Sequence, residues 1–334
     1  MNPPDNEWSL IIFNILGDLS VGAFIALGLA HFYAVRTANL RQADLLSTRA
    51  LLALGPILVL GMLAVFGHVG NPERAFNMLR NLDTSWLARE VAAYGAFLVF
   101  GGAFAVLQAA CLLPESIQKR IPQGLRNIMP TVRILLAWIA AILGIIFVFC
   151  AAMIYYDPRL ASRQTAWANP YTVILFFVDT GLLGFMALSV GFVGNYAWLK
   201  RSKTIDPETV ETQGRLLRDS IKGFSFVAIA LVGVLFVAIP IYMAYLGAVR
   251  SPLNDNLLML LHTTYSVHWF ARLFLAFTGA GILSVFMFYL AGQPRRSNLL
   301  YLMVVLAFVS VFVAEVVARY LFYAGNATLL IGGM

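Results

Sequence analysis

Charged residues are scarce in this 334-residue chain, at 12% against 60% hydrophobic, where an ordinary soluble domain carries roughly 25% charged residues. A water-soluble core cannot absorb that much apolar surface. Cysteine is almost absent: Cys111 and Cys150 sit on apolar segments without Cys-x-x-Cys spacing, so they cannot by themselves hold an iron–sulfur cluster or a structural zinc. They read as small buried hydrophobes. Histidine is limited to His31, His68, His262 and His268, too few for the facing imidazole pairs of a two-haem relay. A single haem between His68 and His262 or His268 is geometrically conceivable, but the expectation is no haem, with His262 and His268 as interfacial structural residues. The opening MNPPDNEWSL has no lysine or arginine ahead of its apolar run, which argues against a cleavable signal and for a first helix that stays. No strong internal repeat is visible, which weighs against a transporter built from repeated halves.

What is present in quantity is long apolar sequence. Runs of about 20 residues or more match the length needed to cross ~30 Å of hydrocarbon. They are too long and too uniformly apolar for the alternating strands of a barrel, so helix is the spanning structure. The fold class expected is all-α, an integral membrane bundle of about eight transmembrane helices. The chain reads as a single membrane domain over 1–334, with spans near 10–33, 50–69, 89–113, 131–155, 171–198, 223–248, 268–290 and 299–323. The charged segment 199–222 is long enough for a brief cytoplasmic helix, and no loop is long enough for a second domain.

The net charge of +7 points to topology, not to nucleic acid. Segments after the first, third, fifth and seventh spans carry Arg36, Arg41, Arg49, Lys119, Arg120, Arg126, Lys200, Arg201, Lys203, Arg215, Arg218, Lys222, Arg295 and Arg296. The other side carries only Arg74, Arg80, Arg159, Arg163 and Arg250. The positive-inside rule makes the basic side cytoplasmic and both termini extracytoplasmic.

Ionisable residues inside spans are costly and mark function by default. With the N-terminus outside, Asp18, His68, Arg89, Glu90, Asp179, Arg272, Glu315 and Arg319 all fall in the outer half, and only Arg133 lies on the other side, where it can snorkel to water. That asymmetry argues against a polar path across the full membrane and for a site opening at one face. Glu315 and Arg319, at i and i+4, share a helix face and could pair. Asp18 and Asp179 read as structural hydrogen-bonding partners. The segment HVGNPERAFNMLRNLDTSWLARE, His68 to Glu90, joins two spans. Gly70 and Pro72 break the helix there, and the loop returns His68, Arg74 and Glu90 to one outer edge. An imidazole beside a carboxylate at the water–lipid boundary suits proton removal from a hydroquinone; a solvated interfacial loop is the plain alternative.

The stretch EWSLIIFNILGDLSVGAFIALGLA (Glu7 to Ala30), the loop HVGNPERAFN with SWLARE after it, and the final AEVVARYLFYAG resemble, in order, the membrane anchor subunit of the dimethyl sulfoxide reductase family. The middle, roughly 115–260, matches mainly in hydropathy, and Leu79 to Asn81 with Asp83 and Thr84 depart from the family's loop pattern. The resemblance implies an eight-helix, haem-free, quinol-interacting subunit of a molybdopterin oxidoreductase complex in the bacterial inner (cytoplasmic) membrane, serving respiration such as anaerobic respiration. Its partners would be a four-cluster-type iron–sulfur subunit and a molybdopterin catalytic subunit. The family's quinol-site histidine, arginine and acidic residue fall on His68, Arg74 and Glu90. Related anchors serve reductases and sulfite-oxidising complexes alike, so the direction of electron flow stays open.

The combined expectation is that menaquinone or ubiquinone binds between the second and third spans and their neighbours. His68 exchanges a proton with the ring oxygen, Glu90 orients or relays, Arg74 fixes the loop, and Arg272, Glu315 and Arg319 complete a polar wall, with no metal ligand in this chain. A secondary transporter binding a small anion through Arg272 and Arg319, and a purely structural anchor, are the rival readings.

Overall fold

The computed structural model describes residues 8–67, 72–110, 112–113, 122–157, 167–202, 205–249 and 251–331, without the side chains of 72–76, 125, 253 and 325–331. Those residues form helices and no strand, and 8 of the helices are long and apolar enough to cross a membrane. In chain order they are α1 (Trp8–Thr37), α2 (Leu40–Phe66), α3 (Trp86–Ala110), α4 (Gln123–Tyr156), α5 (Pro170–Arg201), α6 (Pro207–Ala248), the short α7 (Pro252–His262), α8 (Ser266–Ala291) and α9 (Ser297–Ile331). A 3-10 helix, Pro72–Asn81, lies between α2 and α3.

Local chemistry sets several helix starts. The Asn169 side chain accepts from the Tyr171 N–H at 3.0 Å, Asp206 from Thr209 N–H at 2.8 Å, and Ser251 from Asn254 N–H at 3.1 Å. Each is followed by a proline, whose fixed φ and missing N–H suit the first helical position. Asn39 does the same for α2 without proline, accepting from Gln42 N–H at 2.9 Å. At α2 and α6 these caps place the helix start where hydropathy alone does not.

Two boundaries differ from the hydropathy reading as a result. Segment 199–222 forms no separate helix: α6 runs unbroken for 42 residues from the Asp206 cap, about 63 Å at ~1.5 Å per residue. Its first turns lie against α2, where Gln213 Nε2 donates to the Gln42 carbonyl at 2.8 Å. Helix α2 begins at Leu40, ten residues before the apolar run starts, which brings Asp44 inside the bundle.

Helix α1 is the central stave, with 78% of its most apolar stretch buried, more than any other span. It meets α5 at Gly22 and Gly184, where a methyl group on either glycine would overlap the backbone of the facing helix. Backbone contact of this kind is how small residues let membrane helices pack without a hydrophobic driving force. Helix α8 widens into a π-turn at Phe277–Leu283, and the Ser284 hydroxyl donates to the Gly279 carbonyl at 3.3 Å. Large apolar side chains such as Val99, Trp138, Phe226 and Phe270 face outward, as a lipid-facing surface requires.

Candidate functional site

Most of the buried charges collect in the half of the bundle that holds the N-terminus. Asp18 is about 15 Å along α1 from Trp8, Glu90 about 6 Å along α3 from Trp86, and Arg272 about 9 Å along α8 from Ser266 at the helical rise. All are nearly sealed from solvent, with Asp18 at 0%, Glu315 at 1%, Arg319 at 2%, Glu90 and Asp179 at 3% and Arg272 at 6% exposure.

Arg319 is the hub. Its Nη2 donates to Asp18 Oδ2 at 2.6 Å and lies 3.5 Å from Asp179 Oδ2, while the guanidinium covers the Phe176 ring at 3.7 Å. The Thr180 hydroxyl sits 3.1 Å from Asp18 Oδ1 and 2.7 Å from the Phe176 carbonyl. The carboxyls of Glu315 and Asp179 are within hydrogen-bonding reach of each other. Glu90 points inward, where Asp18 and Arg319 are the charges that act on it. The series Glu90, Asp18, Arg319, Asp179, Glu315 and Arg272 therefore links α3, α1, α9, α5 and α8. Its carboxyls outnumber its guanidiniums, so proton uptake by the cluster reduces net charge, which a low-dielectric site favours.

Beside the cluster runs a second, neutral chain of hydrogen bonds. Asn14 Nδ2 donates to Tyr323 Oη at 2.8 Å, and Tyr323 Oη meets Tyr155 Oη at 2.7 Å. A cavity of ≈ 70 Å³ borders the far end of the ionic series, several times the ~10–15 Å³ that one water needs. It is enclosed by α5 to α9, with Asp179, Arg272 and Arg319 among aromatic walls from Trp167, Tyr171, Phe176, Tyr242, Trp269 and Phe322.

Several expectations change on this geometry. Glu315 and Arg319 do not form the i, i+4 pair: among the described residues Arg319 makes its ion pairs with Asp18 and Asp179, tertiary partners that sit closer to the guanidinium. Glu90 is enclosed in the bundle, not at a water–lipid edge, because its position in the first turns of α3 faces α1. Arg89, its neighbour, faces out and donates to the Leu82 and Asp83 carbonyls at 2.7 and 2.6 Å, tying the loop to the helix. His68, Gly70 and Asn71 lie outside the described residues, as does the side chain of Arg74, whose backbone is in the Pro72–Asn81 helix. His262 donates from Nδ1 to the Leu258 carbonyl at 2.7 Å, and His268 packs on Tyr320 at 5.7 Å between rings.

The opposite half holds a cluster that hydropathy missed. Arg133 is 6% exposed and paired with Asp44 through both carboxylate oxygens, so it is buried in an ion pair and does not snorkel. His31 lies 3.9 Å from Asp44 and 3.1 Å from the Ser47 hydroxyl, which also accepts from Gln108. Nearby, Arg49 donates to Asn195 at 3.0 Å and stacks over Trp198 at 3.3 Å. From Asp18 to His31 is about 20 Å along α1. The layer between is filled by Leu19, Val21, Ala23, Phe24, Ala26 and Leu27 and by the Gly22–Gly184 contact. The hydroxyls of Ser20 and Ser189 in that layer bond carbonyls of their own helices. Among the described residues, no chain of ionisable groups joins the two clusters.

Comparison with known proteins agrees with this membrane architecture. The protein is similar to the YnfH chain of the anaerobic dimethyl sulfoxide reductase of Escherichia coli, 29% identical over 181 residues, 54% of this chain and 55% of that one. It is 27% identical to the C chain of the E. coli anaerobic dimethyl sulfoxide reductase over 58% of this chain and 61% of that one. The C subunit of the sulfite dehydrogenase of Allochromatium vinosum is 28% identical over 56% of each. The matches thus span between half and two thirds of the length of these relatives. A family model described as DMSO reductase anchor subunit (DmsC) matches residues 1–325, so nearly the whole chain, helices and buried cluster included, belongs to the DMSO reductase anchor subunit family.

Proposed function

We propose that this anchor subunit binds quinol or quinone and passes electrons between the membrane quinone pool and an iron–sulfur subunit of a molybdopterin oxidoreductase of the dimethyl sulfoxide reductase or sulfite dehydrogenase kind. The observation that carries this reading is the buried series from Glu90 to Arg272, confined to one face of the bundle. Oxidising a hydroquinone releases two electrons and two protons, and the protons need acceptors where water is scarce. Glu90 ends the His68–Glu90 segment, and Asp18 and Arg319 beside it provide a polar continuation into the bundle.

In this account the N-terminal face is the extracytoplasmic one. His68 and Arg74 approach the ring from the loop, His68 exchanging one proton with a ring oxygen and Arg74 holding the loop in register. Glu90 takes the other proton or orients His68. Arg319 and Arg272 balance the carboxyls as protons come and go, and Glu315 shares proton-holding with Asp179. Electrons pass between the ring and an iron–sulfur subunit seated on the same face, and this reading calls for no haem in the chain. The close-packed layer at Gly22 and Gly184 supports this one-sided site over a transporter, which requires a polar route to the other face.

The test is turnover of the purified complex with quinol and, separately, with a reduced dye that bypasses the anchor. His68→Ala should abolish quinol-linked turnover and leave assembly and dye-linked turnover intact. Unchanged quinol turnover would remove His68 from the site.

A further inference from the structure

The basic residues at the end of the bundle away from the N-terminus are not equally engaged. Arg133 is paired with Asp44, Arg49 bonds Asn195 and covers Trp198, and Arg41 is among the charges acting on Asp206. Arg218, Lys222, Arg295 and Arg296 make no ion pair with any described residue.

These four share one corner. The Lys222 ammonium on α6 lies 5.0 Å from the centre of the Phe288 ring on α8, which sets the register of two antiparallel helices. Arg218 is one turn, about 6 Å, beyond Lys222, and four residues past Phe288 bring α8 to the same level at Gly292. The turn Pro294–Arg296 follows at once and leads into α9, where Arg218 acts on the Tyr301 hydroxyl. Acids are sparse around it. The chain has no acidic residue from 256 to 314. Asp219, next to Arg218, is turned to α1, where its Oδ2 accepts from the Tyr33 hydroxyl at 3.1 Å, and Glu211 lies about 10 Å back along α6. Orientation by the positive-inside rule needs such charges on this side of the membrane, but it does not need them gathered at one corner.

The same corner is also where the apolar surface begins. Phe226, Val285, Phe288 and Tyr289 are exposed on α6 and α8, and Leu299 and Leu302 on α9. Tyr289 is level with Lys222, and an exposed tyrosine at a helix end is typical of the membrane–water boundary. Cations one turn above an apolar face match a molecule with a phosphate above and hydrocarbon below. An acidic peptide would leave the apolar half of that match unused.

We propose that the corner of α6, α8 and α9 binds an anionic phospholipid, its headgroup phosphate held between Arg218 and Lys222 on one side and Arg295 and Arg296 on the other, with its acyl chains along α6 and α8. The site is separate from the Glu90 cluster, at the other end of the bundle, and does not depend on the quinone reading.

The test is native mass spectrometry of the full chain with its co-purifying subunits, released from detergent and titrated with phosphatidylglycerol, phosphatidylcholine or inorganic phosphate. Phosphatidylglycerol should bind saturably and at least about tenfold tighter than phosphatidylcholine. R218Q/K222Q and R295Q/R296Q should each weaken phosphatidylglycerol by about 25-fold, roughly fivefold for each cation removed. R36Q/R41Q, at the α1–α2 turn of the same end, should leave it unchanged, and so should R218K, which keeps the charge. In the unaltered protein, raising ammonium acetate from about 0.1 to about 0.5 M should release phosphatidylglycerol and spare phosphatidylcholine, so the test stands even if a variant fails to accumulate. Equal binding of the two lipids, an equal loss in R36Q/R41Q, a loss in R218K as large as in R218Q/K222Q, or binding of phosphatidylglycerol that ignores salt would each overturn the proposal. Displacement of phosphatidylglycerol by inorganic phosphate at matched concentration would make the corner a general anion site and overturn it as well.

Discussion

Replacing Arg319 by leucine tests the hub of the buried cluster. The guanidinium lies 2.6 Å from Asp18 and 3.5 Å from Asp179, with its side chain 3% exposed. Removing one partner of a buried pair typically costs about 3–5 kcal/mol, because the charge left behind is uncompensated. Here two carboxylates lose their partner, and the stacking over Phe176, worth ~0.5–2 kcal/mol, goes as well. Arg319→Leu should therefore sit at the upper end of that range or fail to accumulate. Asp18→Asn keeps an acceptor for the Thr180 hydroxyl and leaves Arg319 with Asp179, so its expected cost is only about 1–3 kcal/mol. The double variant should recover part of the loss, giving a coupling of at least ~1.5 kcal/mol in a cycle. The assay is reversible unfolding of the purified chain in mixed micelles, followed by helical circular dichroism, for the wild type, both single variants and the double. A coupling under about 0.5 kcal/mol, the scatter of independent sites, would refute the claim that Arg319 acts through Asp18.

Three further outcomes follow from the same structure. Glu90→Gln should lower quinol-linked turnover by about 10²- to 10⁴-fold, the range for loss of a positioned proton acceptor, with dye-linked turnover unchanged, measured side by side on one preparation. Gly184→Leu should prevent α1 and α5 from meeting, because even a methyl group overlaps the Gly22 backbone, and the variant should be missing from the membrane fraction on an immunoblot while Gly233→Leu accumulates normally. Asp44→Asn should destabilise the chain by roughly 3 kcal/mol by leaving Arg133 without its carboxylate, read in the same unfolding assay; quinol turnover per folded molecule should not change, since this cluster lies in the other half of the membrane.

Much of the fold was legible because lipid enforces it. A helix in hydrocarbon must be long, apolar and self-bonded, so the spans follow from hydropathy and length, and the structure has the 8 expected. The ends were less legible. Asn39 and Asp206 start α2 and α6 well before their apolar runs, because a cap needs one side-chain oxygen and no hydropathy. Asp44 consequently fell between the spans read from hydropathy, although it meets Arg133 inside the bundle.

The site was legible in its residues more than in its pairings. The gathering of Asp18, Glu90, Asp179, Arg272, Glu315 and Arg319 toward one face could be counted from span depths, but which groups touch could not. Spacing suggested Glu315 with Arg319, whereas helices distant in sequence brought Asp18 and Asp179 nearer. The cavity at Arg272 has no sequence signature, since its walls come from α5 to α9 and the segment before α5 with no fixed interval between them. His68 rests on the loop motif and the family resemblance, and the geometry describes only its companion Glu90.

The central proposal is that electrons pass between the quinone pool and the partner's clusters through this subunit at the face holding Glu90, and the quinol-to-cluster direction is the one most easily followed. Its most direct test is a single-turnover experiment: the oxidised, purified complex is mixed rapidly with quinol, and the absorbance of the partner's iron–sulfur clusters is followed. The account predicts rapid cluster reduction in the wild type and none on that timescale in His68→Ala or Glu90→Gln, although dithionite still reduces the clusters in all three. Clusters reduced by quinol at the wild-type rate in both variants would contradict it.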